Sequence, residues 1–148
     1  MPRLLKLPLL ALTLVACAAC GGGTPPGTGI KVKGTLVQNG KPLQPAPKED
    51  DTMQIVFRPA GQGNLSEFAA IYNHADGTFE FFKGRTANGV EPGDYRLVLS
   101  WVPYAGNSDD VFREQFTADN SPLKYTVTTD KLQEIVVDVG KRTVTKGQ

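Results

Sequence analysis

The apolar residues of this chain come in short alternating runs, and a period of two restricts such a chain to strands. Lys31 to Gln38 reads as one strand and leads into Asn39-Gly40, the strongest short hairpin signal. Met53, Ile55 and Phe57 alternate with Gln54, Val56 and Arg58 until Pro59 stops the run. Glu67 to Tyr72 and Thr78 to Lys83 flank a loop that holds Asp76-Gly77. Asp94 to Val102 places Tyr95, Leu97, Leu99 and Trp101 on one face. Lys124 to Thr129 and Leu132 to Val139 complete the set, with Ile135, Val137 and Val139 pointing inward. No window keeps the 3.6-residue apolar period of a helix. Gly 16 and Pro 11 are spread between the runs, where turns are needed. Seven strands in about 120 residues predict an all-β domain, a single seven-stranded β-sandwich over residues 30–148.

A different composition precedes the domain. Arg3 and Lys6 stand before an apolar run from Leu7 to Val15, the basic and hydrophobic regions of a secretory signal. That run is about half of what spans a bilayer. It ends Leu14-Val15-Ala16-Cys17, which resembles the bacterial lipobox. The expectation is a signal peptide over 1–16, lipidation at Cys17, and a protein held outside the cytoplasm on the cell membrane or outer membrane. Cys20 is a poorer lipidation site, because Cys17 stands where an apolar branched residue belongs. The pair also spells Cys-x-x-Cys, but no second ligand pair or βα context accompanies it. Residues 17–29 carry the uncharged GGGTPPGTG stretch, too poor in apolar side chains to fold and suited to a tether. Without Arg3 and Lys6 the formal charge changes from +1 to −1, so nothing electrostatic points to nucleic acid.

The order of motifs in the domain resembles a known group. Val32-Lys33-Gly34-Thr35-Leu36 leads into Asn39-Gly40-Lys41-Pro42-Leu43. Ile55-Val56-Phe57-Arg58-Pro59, Asp76-Gly77-Thr78-Phe79, Gly89-Val90-Glu91-Pro92-Gly93-Asp94-Tyr95 and Ser121-Pro122-Leu123 follow. This succession looks like the carboxypeptidase regulatory-like domain, a transthyretin-like, Ig-like β-sandwich found in small bacterial lipoproteins. Pro45 to Asp51 departs from it as an insertion in one loop. The resemblance implies a non-catalytic accessory domain and names no ligand.

Chemistry is sparse. His74 is the only histidine, and no Gly-x-Ser-x-Gly motif accompanies it. A zinc site needs three or four ligands that the domain does not supply. No Gly-rich phosphate loop is present. Glu49, Asp50 and Asp51 form one acidic run and Asp109-Asp110 another, neither with calcium-loop spacing, so both read as solvated loops. Lys33, Glu80 and Asp138 lie in first, middle and last strands, as an internal isopeptide would require. Glu80 and Asp138 alternate with apolar neighbours, however, and should face water. Tyr95 follows Pro92-Gly93 in phase with Leu97; its ring should be buried and its hydroxyl should bond back into Thr86 to Pro92.

The chain therefore reads as a membrane-anchored envelope module: no enzyme, no cofactor, no metal, with a protein or glycan partner. Two surfaces are candidates. One is the outward apolar set Val56, Phe82, Val98 and Val136. The other is Trp101 and Tyr104 at the start of the long Pro103 to Asn120 segment, which suits a small-ligand or glycan carrier; a hydrolase is the remotest reading.

Overall fold

The computed structural model describes residues 29–61, 65–82, 89–104 and 109–147. The expected signal peptide, Cys17, Cys20 and all of the expected tether but Gly29 lie outside the described residues. The described chain is all-β. Its strands are β1 (Lys31–Gln38), β2 (Lys41–Pro42), β3 (Thr52–Pro59), β4 (Phe68–Asn73), β5 (Thr78–Phe82), β6 (Gly93–Val102), β7 (Lys124–Val127), β8 (Leu132–Asp138) and β9 (Thr143–Lys146).

Nine strands stand where seven were expected. The two extra ones carry little apolar signal. Strand β2 is only the return arm of the Asn39-Gly40 hairpin, and β9 has Val144 as its one apolar residue. The described strands also make one sheet rather than two, in the order β7-β6-β3-β4-β5-β1-β8-β9, with β2 added on β1. Strands β1 and β8 run parallel and every other strand pair is antiparallel. The sheet curls until β7 and β9 approach each other, giving a nearly closed barrel. Near that seam the Tyr125 hydroxyl donates to Gln133 Oε1 at 2.9 Å.

One face of the sheet wraps the core. Val32, Leu36, Ile55, Phe57, Phe81, Leu97, Leu99, Ile135 and Val137 are all buried there. Each is the alternate residue of its strand, so the period of two translates directly into burial. Phe57 and Phe81 stack with ring centroids 3.9 Å apart, and Phe57 lies 5.2 Å from Tyr95. Gly34 interrupts the inward row of β1 for a steric reason: a Cβ there would fall inside the Phe79 ring. Gln133 also points inward, on β8. Its carboxamide is satisfied by Tyr125, Thr128 and Asp130, so its burial leaves nothing unpaired.

The expectation that Asp138 faces water is overturned. Only 6% of it is exposed, because β8 ends there and two turns close over its carboxylate. Alternation assumes a continuing strand and fails at the last residue.

Candidate functional site

The long segment after β6 is largely built into the barrel. Backbone N–H groups of Leu97 and Leu99 donate to Leu123 and Phe116 carbonyls, and Val111 N–H returns to Trp101. The segment thus covers the upper edge of β6, where β7 no longer pairs with it. Phe112 and Phe116 turn inward and are buried. They form a chain of edge contacts from Trp101, with centroids at 6.1 and 5.5 Å.

Two carboxylates hold this end together, against the reading of their runs as solvated loops. Asp51 accepts from Lys48 N–H at 2.9 Å, from the Trp101 indole at 2.9 Å and from Tyr104 N–H at 3.1 Å. Those backbone and indole donors outweigh its burial and hold its carboxyl below the ordinary 3.8. Asp110 accepts from Trp101 N–H at 2.7 Å and from Glu114 N–H at 2.9 Å. The missed signal in each case is a short-range turn in which an Asp side chain binds a backbone amide a few residues away.

Trp101 and Tyr104 are not brought together. Trp101 is buried and lines a hollow of about 180 Å³ with Leu43, Phe112, Phe116 and Val139, and with the polar Gln38, Gln44 and Gln115. Tyr104 is 79% exposed and does not line it. Drug-sized ligands occupy roughly 300–1,000 Å³.

The apolar residues expected to face outward are partly united by register. Val98, Val56, Ala69 and Phe82 align across β6, β3, β4 and β5. Val136 stands apart on β8, opposite Thr35. Next to the aligned row, Ile71, Glu80, Lys33 and Glu134 align across β4, β5, β1 and β8. They floor an open groove of about 590 Å³ in which Ile71 is 67% exposed. Lys33 Nζ lies 3.7 Å from Glu80 Oε2. Asp138 is opposite Val37, not Lys33, so the three residues considered for an isopeptide do not converge.

His74 sits in the β4–β5 turn, edge-on to Tyr72 at 5.0 Å. Its Nδ1 is buried with no partner among the described residues. Burial, then the charge of Asp76, raises the Tyr72 hydroxyl above its ordinary 10.0. Asp76 itself accepts from the Thr78 N–H and hydroxyl. Among the described residues no three His, Cys, Asp or Glu side chains gather as a metal site would require. Comparison with protein-family models, with curated proteins and with solved structures found no match.

Proposed function

We propose that this protein is a lipid-anchored lipoprotein of the bacterial cell envelope, whose single β domain serves as a non-catalytic binding or structural module. The observation that carries the reading is the succession Leu14-Val15-Ala16-Cys17, then an uncharged Gly/Pro/Thr stretch to Gly29, then a β-rich domain over residues 30–148. Two or three acyl chains on one cysteine anchor stably, where a single chain does not. The finer fold assignment, a transthyretin-like carboxypeptidase regulatory-like domain, belongs to the same proposal and rests on the order of its turn motifs. The partner is a protein or glycan of the envelope.

A non-catalytic role is supported by how the reactive side chains are used. Asp51, Asp76, Asp110 and Asp138 each accept backbone or hydroxyl donors that shape turns. The carrier reading is the weaker one, since the hollow at Trp101 is smaller than ordinary ligand cavities and excludes Tyr104.

The test is metabolic labelling with an alkyne fatty acid in a bacterial host, with mass spectrometry of the N-terminal peptide. Label on Cys17, and its loss together with membrane flotation in Cys17→Ala, is the expected result. An unmodified Cys17, or a mature chain that starts after Ala19, rules out Cys17 as the anchor; a chain with neither cysteine acylated rules out the anchor itself.

A further inference from the structure

Asn39 and Gly40 form the two-residue turn between β1 and β2, both left-handed, with φ of 52° and 77°. Both are exposed, so water reaches them. Asn followed by Gly is chemically fragile. The Gly nitrogen can attack the Asn carboxamide with no side chain in its way. A bond forms between Gly40 N and Asn39 Cγ, the Cγ–Nδ2 bond breaks, and ammonia departs with the proton lost by the Gly nitrogen. The resulting five-membered imide takes up one water and opens to aspartate or isoaspartate. The net exchange of NH for O adds about 1 Da.

The attacking atom is the one the fold withholds. Gly40 N–H donates to Asp138 Oδ2 at 2.8 Å, and Asn39 N–H donates to Oδ1 at 2.8 Å. From the β8–β9 turn, Gly140 and Lys141 N–H groups each donate to the same Oδ1 at 3.0 Å. The Asn39 carboxamide is confined from that side too. A Cβ on Gly140 would stand 2.5 Å from Asn39 Oδ1. The turn is therefore pinned at both amides, with the Asn39 carboxamide lying against Gly140.

We propose that Asn39-Gly40 is a deamidation site held closed by Asp138. The same carboxylate is too weak a base to start the reaction. Burial pushes its pKa up, but the amides of Lys141, Asn39 and Gly40 and the Lys141 charge prevail, leaving it below 3.8. A group that acidic takes almost no proton from an amide, so its effect is to clamp. Once the turn opens, reaction is irreversible. It leaves a second carboxylate beside Asp138, competing for the same amides. Gln38 and Val139, next to the two turns, line the hollow at Trp101. Deamidation at Asn39 thus records that a molecule has been unfolded.

The experiment follows the tryptic peptide Gly34–Lys48 by mass spectrometry, with fragment ions locating the change to Asn39. Full-length protein in detergent is incubated in mildly alkaline buffer, native or in urea, alongside Asp138→Asn. The substitution keeps the shape but leaves one acceptor oxygen for four donors. Native wild type should stay intact while the urea-unfolded chain converts, and folded Asp138→Asn should convert on the order of tenfold faster than wild type, or more. Native wild type converting as fast as the unfolded chain, or Asp138→Asn converting no faster than wild type, overturns the proposal. If Asp138→Asn does not fold, hydrogen exchange on wild type decides. A Gly40 amide protected like the neighbouring strand supports the clamp, and one exchanging like a free peptide overturns it.

Discussion

Tyr95 shows what one side chain does in this barrel. Its ring is fully buried between Phe57 and Phe68, with centroids at 5.2 and 5.9 Å. Its hydroxyl donates to the Glu91 carbonyl at 3.0 Å, within the segment expected from the sequence. Burial, then the Glu91 charge, pushes its pKa up from 10.0 to about 12. Tyr95→Phe should cost about 1 kcal/mol at neutral pH, the net worth of a hydrogen bond. Tyr95→Ala should cost roughly 3–5 kcal/mol. The pH dependence has a definite sign. A folded-state pKa above the unfolded value gives a contribution that is complete below pH 10 and is lost as pH rises toward about 12. Tyr72 and Tyr125 are also raised, so both wild type and Tyr95→Phe weaken in alkali. The gap between their urea midpoints is what isolates Tyr95, and it should close as pH rises above 10. A gap that stays constant would mean that Tyr95 ionises as freely in the folded state as in the unfolded one.

At the scale of the strand, β1 depends on an absence. Gly34 lies opposite Phe79 in β5, and the Phe79 ring fills the space of the missing side chain. Gly→Ala in a strand interior ordinarily helps, since it limits the unfolded chain. Here the added methyl meets a ring that is 2% exposed and has nowhere to go. Gly34→Ala should therefore destabilise by roughly 1–3 kcal/mol, as overpacking does. Equal or greater resistance to urea would show that Phe79 can leave its place freely. The pairing of this strand also marks the limit of what was legible. The seven strands with alternating apolar residues were all readable, because burial of one face imposes the period of two. Strand β9 was not, since Thr143, Thr145 and Lys146 carry no such period. The single curled sheet was not either: strand order depends on distant pairings such as Lys31 with Leu132, which no local pattern encodes. Of the two candidate surfaces, the outward phase of Val56 and Val98 was readable, but their alignment in one row with position 82 was not, since it depends on which strands pair. The burial of Phe112 and Phe116 was not readable either, because their segment has no regular period.

Across the whole molecule the carboxylates that shape turns are concentrated at one end of the barrel. The chain enters at the other end, where Ile30 and Val90 exchange hydrogen bonds of 2.8 and 2.7 Å. At the far end Asp138 joins the β1–β2 and β8–β9 turns, Asp51 ties the start of β3 to the end of β6, and Asp76 closes the β4–β5 turn. All three carboxyls are held below 3.8. For Asp138 burial opposes that shift and the amides overcome it; for Asp51 the Lys48 amide is the main cause, and for Asp76 the Thr78 hydroxyl. A carboxyl whose folded pKa is depressed contributes stability above its unfolded value and loses it as pH falls through the folded one. Acid should therefore loosen one end first. Hydrogen exchange monitored as pH falls below 3.8 should show the amides of Asn39, Gly40, Lys48, Tyr104 and Thr78 losing protection, while Ile30 and Val90 keep theirs. In parallel, the urea midpoint should hold from neutral pH down to about pH 5 and then decline. Asp138→Asn should be weaker than wild type by roughly 1–3 kcal/mol at neutral pH, the cost of leaving buried donors unpaired. It should then decline less on acidification, having one fewer carboxylate to protonate. Parallel declines in the two proteins, or equal loss of protection at both ends, would show that these carboxylates do not set the acid limit of the fold.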